Sequence, residues 1–350
     1  MTPLARTLAA LTHRQADRPP VFLLFTLHGA RALGLSLREY FSRSEHVVEG
    51  QLRLRQAFGH DCLYGFFYAS LELEAWGGAT HFIEDGPPTA ADTLLRSVEG
   101  IARLEAPRLD HPALQKVLTT LAALKARSGG EVPVLGVVLS PFSMPVMQLG
   151  FAAWLELLYA ARAEPGGHHA RLLARLLALN EAFTVAWGNA QLAAGATAIT
   201  YFDPLSSASM TEPGLGVDLG LAVAARVLGQ LAGPAAIHLA SAPGLSRIGP
   251  LLATGAKVIS ASAEDDLGAL KAACAGRAAL LGNLNGLRLT RCSVAEAEAD
   301  AWAALEVGAP GGGFVLADNH GELPLQVPDA VLHALVATSA RWAAARGWTT

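Results

Sequence analysis

Cysteine is scarce in this sequence of 350 residues, and its placement excludes the usual cysteine-based scaffolds. The three cysteines, Cys62, Cys274 and Cys292, lie far apart and form no CxxC or CxxH pair. An odd, scattered set is not typical of a disulfide framework or of a thiolate metal site. We therefore expect buried free thiols in a reducing compartment, which for this chain means the cytoplasm.

Charged residues are also sparse, and those of positive sign never cluster. They make up 16% of the chain, the formal net charge is -4, and no run rich in Lys or Arg occurs. A protein that binds nucleic acid or anionic lipid through phosphate groups needs such a basic surface. Nucleic acid and membrane are therefore not expected as partners.

No apolar run has the length and purity of a membrane span or a secretory signal. The apolar N-terminal stretch is interrupted by Arg6 and followed by His13. The most apolar region, 215–239, contains Asp218 and Arg226 and is divided by a Gly-Pro pair. The first pattern is shorter than a signal-peptide core, and the second is typical of a core helix followed by a strand.

Short apolar runs bounded by turn residues are, in contrast, frequent. Hydrophobic residues make up 52% of the chain, which is enough for a large core. The runs are nearly continuous instead of alternating, which is typical of parallel strands covered by helices on both faces, and they predict an α/β fold. The candidate strands are 21–25, 62–67, 132–139, 198–202, 235–239, 257–261, 278–282 and 313–317.

Segments with the helical spacing of Leu and Ala separate these strands. The predicted helices are 44–58, 90–104, 112–127, 169–194, 215–231, 245–253, 264–275, 293–307 and 329–346. Eight strands with intervening helices predict a single (β/α)8 TIM barrel. No shift in composition marks an internal boundary, so we expect one domain over 1–350, with an N-terminal helix within 1–18. A doubly wound open sheet is the alternative.

Polar side chains gather where the predicted strands end. In a barrel, the carboxyl ends of the strands and the loops that follow them form the active site. His238 ends the fifth strand, and His320 follows the eighth in the turn-forming sequence ADNHGELP. Asp203 ends the fourth strand directly before a proline, which disfavours a helix there. The other candidates at these ends, for substrate binding, are His28, Tyr68, Ser140, Phe142 and Asn283.

Each of these polar residues has a structural interpretation beside the functional one. His238, flanked by apolar residues, fits a hydrogen-bonded core histidine, but together with His320 it fits a metal site or an acid/base pair. Asp203 is either a cap of the following turn or a group that orients a histidine or the substrate. Glu84 and Asp85 are either loop residues or carboxylates that reach the barrel mouth.

Motifs spread over most of the chain occur in a recognisable order. They are FGHD at 58–61, ELEAWGG at 72–78, FIEDGPP at 82–88, VPVLGVVLSPFSMPVMQLG at 132–150, GATAITYFDPLSS at 195–207, IHLASAP at 237–243, LLATGAKVIS at 251–260, LLGNLNG at 280–286 and GGGFVLADNHGELP at 311–324. In this order they resemble the uroporphyrinogen decarboxylase superfamily, in particular its branch of cobalamin-linked methyltransferases that act on methylated coenzyme M or corrinoid proteins. The resemblance implies the same barrel fold.

The resemblance also implies a zinc site, from which this chain departs. The methyltransferase branch binds zinc through a His-x-Cys motif on the fifth strand and a Cys after the eighth. Here His238 matches the first ligand, Ala240 stands at the second position and His320 at the third. Without the two soft thiolates, a divalent metal, zinc first, would need a carboxylate such as Asp85, Asp203 or Glu322 to complete its site.

The decarboxylase branch of the superfamily matches less well. It carries an arginine-rich motif after its first strand, and Phe25 and Gly29 stand where its two arginines belong. Arginine binds carboxylates in a bidentate manner, so a tetrapyrrole with many carboxylates would have only Arg31 nearby. His320, however, does match the final loop of this branch.

The resemblance implies an enzyme that acts on a small polar substrate at the barrel mouth, by methyl transfer or metal-assisted bond cleavage. His238, His320 and Asp203 are the expected catalytic groups, and the two histidines are the expected metal ligands. No tightly bound organic cofactor is expected; a corrinoid protein and a homodimer are the possible partners. Two alternatives stay open: decarboxylation of a tetrapyrrole or smaller acid without metal, and a non-catalytic barrel that serves a corrinoid protein.

Overall fold

Parallel strands form the centre of the structure. A computed structural model describes residues 1–65, 68–207, 209–212, 214 and 216–348, and within them eight parallel strands form one sheet. They are β1 (Val21–Phe22), β2 (Leu63–Tyr64), β3 (Val134–Leu139), β4 (Ala198–Phe202), β5 (Ala235–His238), β6 (Val258–Ser260), β7 (Ala279–Leu284) and β8 (Phe314–Asp318). The order in the sheet is β1-β8-β7-β6-β5-β4-β3-β2, so that neighbours in space are neighbours in sequence around a ring.

The two ends of this sheet meet at Asp61, immediately before β2. Its backbone N–H donates to the carbonyl oxygen of Val21 at 2.8 Å, and its carboxylate Oδ2 accepts the N–H of Val21 at 2.8 Å. These bonds bring β1 beside β2 and close the ring. The predicted (β/α)8 TIM barrel is confirmed, and the alternative of an open doubly wound sheet is wrong.

Helices connect the strands and surround the barrel. Their bounds are Pro3–Leu11, His28–Leu33, Leu37–Ser42, Ser44–Phe58, Ser70–Ala75, Pro112–Arg127, Pro145–Leu149, Phe151–Ala163, His168–Ala193, Val217–Leu228, Ile248–Ala253, Leu267–Cys274, Gly286–Leu289, Val294–Gly308 and Asp329–Ala345, with 3-10 turns at Val98–Arg103 and Leu245–Arg247. A short antiparallel ribbon, Thr80–His81 with Thr89–Ala90, follows β2. In the part of the chain that the structure describes, no helix combines the length and the apolar character needed to cross a membrane.

Each predicted strand overlaps an observed one because every strand is buried on both faces. One set of side chains fills the barrel interior, including Phe22, Tyr64, Val137 and Val315, and the alternate set packs under the helices. Burial of one such large apolar side chain stabilises the fold by about 1.5–3 kcal/mol. Residues 66–67 of the predicted second strand, and residue 215 of a predicted helix, lie outside the described residues.

The predicted helix over 90–104 is wrong. The segment leaves the ribbon at Ala90 and runs as an irregular chain to a 3-10 turn, Val98–Arg103. The N–H groups of Leu94 and Leu95 donate to the carbonyl oxygens of residues 147 and 148, so they are not available for helical bonds. The leucine spacing reflects packing against the core, to which an irregular segment can contribute equally well.

The N-terminal ends of the strands are joined to the N-terminal helix by a buried ion cluster. Asp61 is fully buried and accepts Arg6 Nη1 at 2.6 Å and Arg18 Nη1 at 2.7 Å. Arg6, on the helix Pro3–Leu11, also pairs with Asp17 at 2.6 Å. Two guanidinium groups therefore compensate the buried carboxylate that closes the barrel.

Asp61→Asn is expected to lower the free energy of unfolding by about 3 kcal/mol, because it leaves two partly buried arginines without their shared carboxylate. Urea unfolding followed by circular dichroism measures this loss. The matched control is Asp110→Asn, which removes an equivalent Arg–Asp pair that is fully exposed and should leave stability unchanged. Equal effects of the two substitutions would show that the Asp61 cluster does not hold the closure.

Candidate active site

A cavity of about 530 Å³ lies at the C-terminal end of the barrel. Its floor includes Val137 and Leu139 from β3 and Phe202 from β4, and its rim comes from the loops that follow the strands. Most of the wall is apolar. Among the described residues, the wall side chains that can hydrogen bond or titrate include Tyr64, Ser70, Glu72, Asp85, His320 and Glu322.

The two predicted histidines come together at this rim. His238 ends β5 beside Phe202 of β4, with ring centroids 5.6 Å apart. Gly321, the residue after His320, packs on His238 so closely that a Cβ at this glycine would lie 3.1 Å from the histidine Cε1. His320 lines the cavity, whereas His238 lies behind it under the turn that carries His320.

Asp318 fixes that turn. Its carboxylate Oδ2 accepts the backbone N–H groups of His320 at 2.8 Å and of Gly321 at 3.2 Å. The side chain is almost fully buried, and burial raises its pKa. Gly321 adopts a φ of 92°, in the left-handed region that favours glycine.

The segment after β5 supports His320 from the other side. Ala240 and Ser241 both have left-handed backbone conformations, with φ of 48° and 66°. Such strained non-glycine residues cluster at functional sites, where the surrounding structure holds them. Here the N–H of Ser241 donates to Asn319 O at 2.7 Å, and the Ser241 hydroxyl lies 3.1 Å from His320 Nδ1. This contact fixes the imidazole and leaves its Nε2 for a ligand in the cavity.

His238 is neutral, and its hydrogen bond defines its tautomer. Burial, together with the nearby His320, lowers the pKa of His238 to about 4. Its Nδ1 accepts the N–H of Ala240 at 3.1 Å, so the proton of the neutral ring is on Nε2, which is buried and has no partner. His238 therefore offers an N–H group, not a free lone pair.

These donors do not fit a zinc ion held by three protein ligands. A zinc site of the expected kind needs deprotonated nitrogen or sulfur donors directed at one point. Here the lone pair of His238 Nδ1 is engaged, and Ala240 has no donor. Within the described residues, no group of three or more His, Cys, Asp or Glu side chains is arranged to hold a metal.

Glu72 is a buried carboxyl group in the cavity wall. It lies on the helix Ser70–Ala75, and its Oε1 accepts the N–H of Leu139 at 3.1 Å and the indole N–H of Trp187 at 3.2 Å. Its Oε2 is buried and has no partner. Burial raises the pKa of Glu72 to about 8. The residue is therefore a neutral acid at pH 7, with its proton on Oε2 because donors occupy Oε1.

Two further carboxyl groups line the cavity. Burial, with the neighbouring Asp318 carboxyl, raises the pKa of the half-buried Glu322 to about 7. Asp85 lies in the loop after the ribbon, where its carbonyl oxygen accepts the side-chain amide of Gln326 at 2.8 Å. The prediction that a carboxylate of the EDGPP segment reaches the mouth agrees with this position of Asp85.

Asp203 and Ser140 lie together, beside the site but not in the cavity wall. The carboxylate Oδ1 of Asp203 accepts the hydroxyl groups of Ser140 and Ser143, each at 2.7 Å. Its backbone N–H donates to the carbonyl oxygen of His238 at 2.8 Å. Asp203 thus joins the ends of β3, β4 and β5, and its contact with His238 is through the backbone.

The other predicted substrate-binding residues have partners outside the cavity wall. Tyr68 packs on Phe41 and donates its hydroxyl to Glu74 at 2.7 Å. Phe142 is buried against Trp154, with ring centroids 5.4 Å apart. His28 and Asn283 are likewise not part of the described wall. His28 is buried against Phe25, and burial together with Arg31 lowers its pKa to about 3. The side-chain amide of Asn283 donates to Ser262 O at 3.2 Å.

Sequence reasoning missed Glu72 as a site residue. It stands between two leucines in LELEAWGG, a setting that in a helix is compatible with either an exposed or a buried carboxylate. The available signal was its place eight residues after the end of β2, where a barrel presents functional groups.

Comparisons with known proteins agree with this fold. The structure superposes on a methyltransferase from Methanosarcina mazei with a TM-score of 0.85 and 20% identity, over 97% of this chain and 99% of that one. It also resembles a B12-independent methionine synthase from Shewanella sp., with a TM-score of 0.54 and 14% identity over 94% of both chains. At these identities the likeness shows a shared barrel.

The family follows from the sequence. The family model for uroporphyrinogen decarboxylase (URO-D) matches residues 2–342, so the chain belongs to the URO-D family. It is 27% identical to a uroporphyrinogen decarboxylase from Polaromonas sp. over 232 residues, which are 64% of this chain and 61% of that protein. The chain thus covers less than two thirds of the length of this relative.

Glu72→Gln is expected to be more stable, relative to the wild type, at pH 8 than at pH 4. The folded pKa of Glu72, about 8, lies above its ordinary value of 4.5, so the unfolded chain loses this proton first as the pH rises. Stability of the wild type therefore falls by about 4 kcal/mol between pH 4 and pH 8, and the neutral glutamine avoids that loss. Urea unfolding of both proteins at the two pH values measures the difference.

The exposed Glu156 provides the control, since Glu156→Gln should give the same difference from the wild type at both pH values. A Glu72→Gln variant that behaves like this control would mean that Glu72 ionises in the folded protein as it does in water.

The wild type is expected to retain far less than one equivalent of zinc, because the lone pair of His238 Nδ1 is engaged by the N–H of Ala240 and no thiolate stands at position 240 or 320. Elemental analysis after dialysis against zinc measures this. One equivalent in the wild type that disappears in His238→Ala would contradict the assignment of the donors.

Proposed function

We propose that this protein is an enzyme that transfers a methyl group from a small polar substrate held in the cavity at the C-terminal end of the barrel. The observation that supports it most is the set of titratable groups in one largely apolar cavity: His320, Glu72 and Glu322. The carboxyl pKa values, about 8 and about 7, lie near neutral pH, where proton donors work best. Similarity to the fold of a methyltransferase over nearly the whole chain supports the choice of reaction.

Methyl transfer requires few groups from the cavity: one that can protonate the leaving atom and one that positions the substrate. In methyl transfer a nucleophile attacks the methyl carbon, and the electron pair of the broken bond stays on the substrate heteroatom. Glu322, placed in the wall with a pKa near 7, can give a proton to that atom, and His320 Nε2 can hydrogen bond to the substrate. Two fixed groups thus orient the leaving atom while the apolar wall excludes water.

The methyl acceptor is a second proposal. A corrinoid protein, implied by the resemblance, would have to approach the rim, where Leu287 lines the cavity and is 60% exposed. Large exposed apolar side chains at a cavity mouth are compatible with docking of such a partner.

The residues of the cavity wall support decarboxylation of a tetrapyrrole less well than methyl transfer. Among the described residues that line the cavity there is no Lys or Arg to bind substrate carboxylates. Arg31 is engaged elsewhere, since it donates to Leu325 O at 2.8 Å and pairs with Asp329.

Transfer of a methyl group is tested by incubating the protein with methylated amines, ethers and thioethers in the presence of reduced cobalamin, and following methylcobalamin by its absorbance. We expect turnover with at least one substrate class and, for ethers and thioethers, a rate about 100-fold lower in Glu322→Gln, because the leaving oxygen or sulfur loses its proton donor. Glu156→Gln should keep the wild-type rate.

Failure of all three classes, combined with the formation of less carboxylated products from uroporphyrinogen, would overturn the proposal in favour of decarboxylation.

A further inference from the structure

The unsatisfied oxygen of Glu72 indicates what the cavity binds. Both N–H donors that reach this carboxyl group, from Leu139 and Trp187, are bonded to Oε1. Oε2 has no partner in a side chain that is only 2% exposed, and Glu72 belongs to the cavity wall. A buried polar atom without a partner is costly, at about 1–3 kcal/mol, so a ligand that satisfies it gains affinity.

The ionisable side chains of the cavity wall indicate the sign of the charge that a ligand should carry. Glu72, Asp85 and Glu322 contribute three carboxyl groups, and no Lys or Arg lines the cavity among the described residues. Carboxyl groups that can ionise in the wall of a largely apolar cavity favour a cation over an anion, because charges there are weakly screened. The rings of Tyr64 and Phe202 also lie in the wall, and aromatic faces add a favourable contact with organic cations.

We propose that the cavity binds a small organic ammonium ion that carries at least one N–H, and that this N–H donates to Oε2 of Glu72. The alkyl groups of the ion would contact the apolar wall formed by Val137, Leu139 and Met147. On binding, the carboxyl proton of Glu72 passes to solvent, and the resulting carboxylate pairs with the ammonium.

This inference rests on the proposed function in one respect, since it places the substrate of methyl transfer in the same cavity. A methyl group on a positively charged nitrogen suits that reaction. When a nucleophile takes the methyl group, the electron pair of the broken C–N bond stays on nitrogen, and a neutral amine leaves without a further proton. The ammonium class therefore requires no additional reactant beyond the methyl acceptor.

Titration calorimetry with trimethylammonium chloride tests the proposal on the full chain. Runs at pH 7 in phosphate and in Tris, which differ in ionisation enthalpy, count the protons released. Comparison ligands of similar size are tert-butanol, which is neutral, and pivalate, which is an anion. We expect trimethylammonium to bind more tightly than either, with release of a fraction of one proton, and Glu72→Gln to weaken it about tenfold or more and to reduce the release to the part that Glu322 contributes.

Glu156→Gln, on an exposed helix surface, is the matched control and should bind like the wild type. Glutamine keeps the acceptor oxygen for Leu139 and Trp187, so the variant should fold, and the comparison of ligands on the wild type needs no variant. Equal or tighter binding of pivalate, no binding of trimethylammonium, or proton release that is undiminished in folded Glu72→Gln would each overturn the inference. Binding without methyl transfer would leave it standing and refute only the proposed reaction.

Discussion

The burial of carboxyl groups without a cation beside them is the constraint on which the site depends. Glu72, Asp203 and Asp318 are each at most 2% exposed, and their hydrogen-bond partners are neutral N–H and O–H groups. A buried carboxylate in this position is unfavourable, so burial raises the pKa of all three. Asp203 and Asp318 each use one oxygen to fix strand ends and the final turn, and each, like Glu72, keeps the other oxygen without a partner. Of these three residues, Glu72 is the one that belongs to the cavity wall.

The opposite end of the barrel shows the contrasting solution. There Asp61 is equally buried, but it is compensated by two arginines and by the N–H of Val21. The ion cluster closes the ring and joins the N-terminal helix to it, which is a structural task. The C-terminal end leaves its carboxyl groups uncompensated, in the place where a (β/α)8 barrel binds its ligands. The same residue type thus closes the barrel at one end and lines a cavity at the other.

Much of the fold could be predicted because the strands are covered on both faces. Continuous apolar runs at 134–139 and 314–317 have few other interpretations. The pairing of His238 with His320 also followed, since parallel strands of a closed barrel end at one rim. The segment 90–104 could not be predicted, because an irregular chain that packs leucines on a core has the same spacing as a helix.

The site itself was only partly accessible to sequence reasoning. Nothing in LELEAWGG tells which of its two glutamates turns inward, since that depends on how the helix Ser70–Ala75 lies against β3. The tautomer of His238 depends on a backbone N–H made available by the left-handed turn at Ala240. The sequence shows that positions 240 and 320 carry no cysteine, but only the structure shows that His238 Nδ1 is engaged by a backbone N–H.

The most direct test of this account is the ionisation of Glu72 itself. Carbon-13 NMR of protein labelled at the glutamate carboxyl carbons, with Glu72→Gln used to assign the signal, follows this group through a pH titration. The account predicts a midpoint far above the ordinary 4.5 and near pH 8, which moves to lower pH when trimethylammonium is added. A midpoint near 4.5 in the free protein would contradict it, because the oxygen at the cavity would then already be a solvated carboxylate.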